Sequence, residues 1–325
     1  MIITKTPFRV SLFGGGTDYP HWYKQNGGEV VSFTIDKYCY LTTRVLPPFF
    51  DHKFRIAYSV VETLKSFDEI KHPAVREAIR KYCPTLFLEI HHDGDLPARS
   101  GVGSSSAFAV GLIHSLKLLT KQTVTAEELA NEAIELEQNI LQENVGSQDQ
   151  VACALGGLNH IIFDPDTGWT ANKIMMSDAY KNEMEDRMVL VYTGVNRISS
   201  DIQAHLFTNL KTKISTLNRT GLLARECQEI LAREGDLDVI GEMLAESWEL
   251  KRAMNSYAIT HELDDLWDRA RKAGALGGKV LGAGGGGFCL FWVGKNAKID
   301  FLQKLNSGTY VPAKIVNDGS TCILS

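Results

Sequence analysis

The residues of this chain that could do chemistry begin with Gly101-Val102-Gly103-Ser104-Ser105-Ser106-Ala107. Two glycines and three serines run into Ala107–Thr120, which reads as a long apolar helix. A helix start leaves backbone N–H groups without intrahelical partners and carries the positive end of the helix dipole. Glycines ahead of it let a ligand approach the backbone, and hydroxyls add donors or a metal ligand. This is the chemistry of an anion site, with phosphate the foremost candidate. A P-loop is excluded, because no lysine lies between Arg99 and His114, and the flanks of Gly278-Lys279 do not fit. Gly282, Gly284 and Gly287 match dinucleotide spacing, but Phe288–Val293 reads as a strand where that motif needs a helix.

Two acids follow. Thr125-Ala126-Glu127-Glu128 is a capping box that opens a helix over Glu127–Gln142. On it Ala130, Ile134, Glu137 and Leu141 share one stripe. A carboxylate on an apolar stripe needs a cation or several donors; on the residues alone, an edge position reaching water is the commoner outcome. Asp149 lies in the polar turn Gly146–Gln150, as a general base for a hydroxyl or as a helix cap, with the cap favoured locally. Arg9, inside the strand Phe8–Phe13, suits phosphate or carboxylate, or is simply exposed. Arg197 has the same status, with a surface salt bridge as its plainer role. Gly277–Gly287 holds seven glycines in eleven residues. That is more than a turn needs, and implies that a backbone or ligand packs directly on it.

The elements that must position these groups are mixed α/β. Strands are expected at Phe8–Phe13, Glu29–Ile35, Tyr38–Val45, Leu86–His92, Leu158–Phe163, Met188–Thr193, Lys279–Leu281, Gly287–Val293 and Ala313–Val316. Helices are expected at Val60–Ile70, His72–Tyr82, Ser199–Glu234, Asp238–Met254, Glu262–Ala273 and Lys298–Leu305, besides the two already named. A chain of 325 residues suggests two domains, or one large one. The polar stretch Asp178–Arg187 is the best boundary, giving 1–182 and 183–325. Net charge is −5 and pI about 6.0, which argues against a general nucleic-acid or membrane-surface binder. Six scattered cysteines give no zinc signature and fit a reduced compartment. No signal peptide or membrane span is evident, so the expected location is cytoplasmic. Composition leaves room for a homo-oligomer.

Three segments, in order, resemble the GHMP small-molecule kinases, the superfamily of galactokinase, homoserine, mevalonate and phosphomevalonate kinases. They are Pro7–Asp18, Leu96–Ala107 and Lys279–Gly287. The resemblance spans the chain. It implies a ribosomal-S5-domain-2-like N-terminal unit, a ferredoxin-like C-terminal unit, and an active site in the cleft between them. It implies ATP and Mg²⁺. Gly101, Val102, Gly103, Ser104, Ser105 and Ser106 would then bind the ATP phosphates, and Ser105 with Glu137 the metal. Asp149 would be the base, since galactokinase-like members place it twelve residues after the metal glutamate. Arg9 would steady Asp149 and the phosphoryl group. Gly284, Gly285 and Gly286 would support the phosphate loop.

For the acceptor, the resemblance points to Gly15, Gly16, Thr17, Asp18 and Arg197. Galactokinases carry Glu-His where this chain has Gly15-Gly16, which opens room for a bulkier sugar. Phe13–Tyr19 and Thr193–Arg197 are similar to the bacterial heptose kinases. That subgroup implies transfer to the anomeric C1 hydroxyl of D-glycero-D-manno-heptose 7-phosphate, for nucleotide-activated heptose synthesis. Fucokinase and galactokinase types are rivals, as is an ATP-dependent decarboxylase. A non-catalytic sugar sensor on the same scaffold would not need Asp149, Glu137 and Arg9 together. Lys37, Arg44, His52, Lys53, Arg55 and Arg197 are the candidate cations for an acceptor phosphate.

Overall fold

A computed structural model describes residues 1–194, 210–254 and 258–325. Strand β1 (Ile2–Phe13) leads through helix α1 (Pro20–Asn26) to β2 (Gly28–Val45), then β3 (Phe54–Ala57) and β4 (Val61–Leu64). Helix α2 (Pro73–Tyr82), β5 (Leu88–Gly94), α3 (Ser104–Leu119), α4 (Ala126–Ile134) and α5 (Gln148–Leu155) follow. Next come β6 (Leu158–Asp164), β7 (Gly168–Lys173), α6 (Asp178–Arg187) and β8 (Met188–Tyr192). The remainder holds α7 (Leu210–Ala232), α8 (Leu237–Met254), α9 (His261–Ala273), β9 (Ala275–Val280), β10 (Phe288–Val293) and α10 (Lys298–Leu305). Strands β11 (Thr309–Val311), β12 (Ile315–Val316) and β13 (Thr321–Leu324) close the chain.

Among the described residues the strands form two sheets. One has nine strands, in the order β13-β1-β2-β5-β3-β4, with β6 and β12 also on β2, and β7 on β6; the other has four, β11-β8-β10-β9. The fold is therefore mixed α/β, as expected.

The two strands expected over Glu29–Ile35 and Tyr38–Val45 are one, β2, unbroken at Asp36-Lys37. The irregularity lies in β2 itself: Pro7 faces Tyr38 and Arg9 faces Thr34, so three residues of β2 stand opposite Phe8 alone. The skipped residues of β2 find another partner, Ile35 pairing with Ile315 of β12. A bulge of this kind re-aims side chains, and here it falls at Arg9.

Helix α3 begins at Ser104, three residues before the expected start, on a left-handed Gly103 (φ 73°). The serines are therefore its first turn and not a loop ahead of it. The helix is buried nearly all round against β1 and β2, where Thr4 Oγ1 donates to the Gly111 carbonyl at 3.0 Å and Thr43 shares a hydroxyl bond with Ser115. The capping box at Thr125 and Glu128 forms both bonds. The helix it opens is α-helical only to Ile134, and Glu135–Ile140 is a π-turn.

The helix expected over Val60–Ile70 is a correction. Val61–Leu64 is strand β4, paired with β3, and Phe67–Glu69 is a short 3₁₀ turn capped by Ser66. Its burial is inverted, with Val61 exposed and Glu62 buried, because Tyr58 Oη and the Lys71 amide both donate to Glu62. Helix α5 occupies the segment read as a polar turn, and α6 the stretch read as a boundary.

The four-stranded sheet packs on α8 and α9 around Trp248, Trp267 and Phe291, the two indoles stacking at 5.2 Å. Backbone contact carries this packing. A Cβ on Gly277 would overlap the Gly241 carbonyl of α8, whereas Gly294 has open space. Gly277→Ala is therefore expected to lose about 2–3 kcal/mol of stability by overpacking, while Gly294→Ala stays within about 0.5 kcal/mol. Urea unfolding midpoints of the two variants check this.

Candidate active site

Arg9, next to the register jump between β1 and β2, lines a cavity of about 210 Å³. Its guanidinium is 3% exposed and makes three bonds. Nε and Nη2 donate to the two Asp149 carboxylate oxygens at 2.6 and 2.5 Å, and Nη1 donates to the Gly101 carbonyl at 2.6 Å. This is a planar fork on a carboxylate, a geometry lysine cannot reproduce. Burial works against the charged guanidinium, but Asp149 outweighs it and holds the Arg9 pKa above its ordinary value. Asp149 stands in the first turn of α5, where the helix dipole also favours its charge. Its carboxylate is 25% exposed and faces the cavity.

Glu137 lies in the π-turn and is 2% exposed. Ser105 Oγ donates to one of its oxygens at 2.7 Å; Ser106 Oγ and Gln150 Nε2 donate to the other at 2.8 and 2.5 Å. Among the described residues no cation makes an ion pair with it. Burial pushes its pKa up to about 7, against the pull of the three donors, with Glu143 adding to the rise. A π-turn displaces side chains from the α-helical stripe and recurs at functional sites. Here it seats the carboxylate against the first turn of α3.

Asp18 is also buried in the cavity wall. Its Oδ1 accepts from the Gly16 amide at 2.9 Å and Oδ2 from the Gln148 amide at 3.3 Å. Burial, and then the Asp149 charge, raises its pKa. Gly15 and Gly16 line the same end. Thr17 does not: its hydroxyl pins the turn, donating to the Gly14 carbonyl at 2.8 Å. Val102 is likewise turned inward, its carbonyl accepting from the Arg9 amide at 3.0 Å, while Gly101, Gly103, Ser104, Ser105 and Ser106 line the cavity.

The glycine-rich third segment meets the phosphate loop backbone to backbone. A Cβ on Gly101 would stand 2.6 Å from the Leu281 carbonyl oxygen, and one on Gly282 2.7 Å from the Gly101 Cα. Phe288 N donates to the Ser100 carbonyl at 2.9 Å. These contacts fall on Gly282 and Gly287. Gly284 presses instead on Ala258, Gly285 donates to the Ala258 carbonyl, and Gly284 and Gly286 line the cavity.

Arg197 lies outside the described residues. The other cations expected for an acceptor phosphate are elsewhere. Lys37 pairs with Asp36, and Arg44 and Arg55 with Glu89; Lys53 sits over the Phe87 ring, and His52 beside Phe50. None of these five lines the cavity. Two lysines the sequence reading did not place there do: Lys279, whose Nζ donates to the Leu12 carbonyl at 2.8 Å, and Lys251, whose Nζ donates to the Val280 and Gly282 carbonyls at 2.8 and 2.6 Å. Burial depresses both pKa values, that of Lys251 to about 7. The signal for Lys251 was present. Lys251, itself half-buried, continues the stripe of the buried Leu244, Ser247 and Trp248 on α8, the pattern that singled out Glu137.

The Glu137 shift fixes a pH dependence. The folded protein holds this proton more tightly than the unfolded chain, so stability falls as pH rises from about 4.5 to about 7. The full cost, on the order of 3 kcal/mol, applies above that window. Glu137→Gln cannot ionise. With nucleotide absent and a chelator present, its urea stability should match the parent near pH 5 and exceed it near pH 8.

Comparison with known proteins places this geometry. The family model "GHMP kinases N terminal domain" matches residues 69–157, and "GHMP kinases C terminal" matches 227–310. A curated D-glycero-alpha-D-manno-heptose 7-phosphate kinase of Campylobacter jejuni is 29% identical over 94% of this chain and 93% of its own length. The bifunctional fucokinase/GDP-fucose pyrophosphorylase of Arabidopsis thaliana is 24% identical over 98% of this chain, but only 32% of that protein. A crystal structure titled as a D-glycero-D-manno-heptose 1-phosphate kinase from Bacteroides thetaiotaomicron superposes with TM-score 0.82 at 25% identity, covering 100% of this chain and 99% of that one. With both domains matched and the fold shared along its whole length, the chain belongs to the GHMP kinases and is a phosphotransferase.

Proposed function

We propose that this kinase transfers the γ-phosphoryl group of ATP to the anomeric C1 hydroxyl of a sugar, D-glycero-D-manno-heptose 7-phosphate. The supporting observation is the convergence of Arg9, Asp149, Glu137 and the first turn of α3 on one cavity. Residues 1–182 and 183–325 are taken as the two units that flank it.

The amides of the first turn of α3 receive the phosphates, with Gly101 and Gly103 giving backbone access. Asp149 takes the proton of the acceptor hydroxyl as its oxygen bonds to the γ-phosphorus and the bridging oxygen leaves with ADP. The Arg9 fork occupies one side of the Asp149 carboxylate and fixes the other toward the acceptor. Ser105 and Glu137 are the residues that would hold Mg²⁺. A buried carboxylate bonded only to neutral donors suits an entering cation, and Mg²⁺ needs few protein ligands where phosphates and waters supply the rest. Bound there, the ion would neutralise charge on the phosphate oxygens.

The acceptor end is built for hydroxyls. Ser11 Oγ and Gln148 Oε1 are buried without hydrogen-bond partners among the described residues, and both residues line the cavity. Unpartnered buried polar atoms are costly unless a ligand satisfies them. The heptose assignment rests on the Campylobacter relative; the Arabidopsis relative favours fucose as a second reading.

Asp149→Asn keeps an acceptor oxygen for Arg9 but removes the base. It is expected to bind nucleotide as the parent does and to lose about 10²–10⁴-fold in kcat. Near-parental turnover would remove Asp149 from that role. An ADP-release screen over heptose 7-phosphate, free heptose, fucose, galactose and mannose decides the acceptor. Turnover highest with fucose would overturn the heptose assignment.

A further inference from the structure

The cavity wall contains a cation that neither the base, the metal residues nor the phosphate loop explains. Lys251 projects from α8, and two of its three N–H donors reach the Val280 and Gly282 carbonyls. Among the described residues no carboxylate lies within ion-pair distance of it, whereas Arg9 in the same wall holds Asp149. A partly buried ammonium held only by carbonyl dipoles is unfavourable unless an anion completes it. The two carbonyls belong to the segment whose Gly282 lies against Gly101, and the Gly101 carbonyl in turn accepts from Arg9. One latch therefore runs from α8 through the glycine segment to the arginine that holds Asp149.

We propose that Lys251 is a positioning residue for phosphoryl transfer, latching the Gly282 segment onto the phosphate loop with two N–H groups and directing the third at the terminal phosphate of ATP. The inference rests on the kinase reading above and goes beyond it by adding a residue from the C-terminal half of the chain. Burial above all, with the charge of Arg9 adding to it, brings its pKa down to about 7. A polyanion entering there would restore the full charge. The third N–H then has a ligand that ADP does not offer.

Lys251→Gln retains an N–H donor for the carbonyl latch and removes the charge. Its Kd for a non-hydrolysable ATP analogue, measured by calorimetry with Mg²⁺, is expected to rise about tenfold, with the Kd for ADP unchanged within about twofold. Its kcat should fall about 100-fold, with the acceptor KM little changed. Lys251→Arg, which keeps charge and donors, should recover a large part of kcat and the preference for the analogue over ADP. Parental kcat in Lys251→Gln, or equal weakening of ADP and analogue in either variant, overturns the proposal. A parent protein that binds neither nucleotide overturns the kinase reading itself; a parent that binds both while Lys251→Gln matches it overturns only the role of Lys251.

Discussion

The ion pair between Arg9 and Asp149 is the contact on which the cleft depends. It joins β1 to α5 across residues distant in sequence, and through Nη1 it also fixes the Gly101 carbonyl. A guanidinium buried this deeply is tolerable only because a bidentate carboxylate and a carbonyl satisfy it together. The bulge at Arg9 is part of the same arrangement. The register of β1 on β2 jumps beside it, from Pro7 opposite Tyr38 to Arg9 opposite Thr34, with the extra residues on β2. Phe8, its neighbour, is fully buried in the core, so the bulge is clamped on the apolar side as well.

The second constraint is that backbone must touch backbone. The phosphate loop and the Gly282 segment approach so closely that neither Gly101 nor Gly282 can carry a Cβ. This contact brings the two halves of the chain to one cavity and carries Lys251 and Lys279 with it. Four cations, Arg9, Arg99, Lys251 and Lys279, then line it with Asp18, Asp149 and Glu137. Such a wall is not self-neutralised. Among the described residues only Arg9 and Asp149 of this wall pair with each other; the lysines rest on carbonyls, and Glu137 on hydroxyls and an amide. The remaining field is what a polyphosphate and its metal would complete.

Much of this was legible from the chain alone, because glycine and serine at a helix start have few other uses. The apolar stripe found Glu137 although the helix beneath it is not α-helical there. The stripe marks which side of the chain is buried, and the π-turn preserves that side while changing the local pitch. The pattern failed at Val60–Ile70 for a related reason. Glu62 is the buried residue of an edge strand and Val61 the exposed one, so polarity and burial are inverted by the bonds from Tyr58 and Lys71. Lys251 was hidden differently. It continues the apolar stripe of α8, but it stands beside Arg252 in a charged run that masks this signal. Only the fold shows that the glycine segment of β9 and the turn after it supplies the carbonyls that hold it.

On the proposed reading, the acceptor end is shaped by what the wall lacks as much as by what it carries. Gly16 leaves a gap closed by Leu217 of α7 and Met254 of α8, which a Cβ would approach to 3.2 and 3.5 Å. Those two residues, with Trp22 of α1, form a small apolar cluster of their own. The floor of the acceptor end is thus shared between the two halves of the chain. Asp18, Ser11 and Gln148 are polar and come from the N-terminal half; the apolar side comes from α7 and α8. A sugar seated there would meet polar groups on one face and Met254 and Leu217 on the other. Its fit would depend on how closely the two halves approach, whereas the phosphate side is fixed by glycine contacts that allow no such play. Divergence in acceptor among proteins of this fold would therefore fall on α7, α8 and Gly14–Asp18, and leave the phosphate side intact.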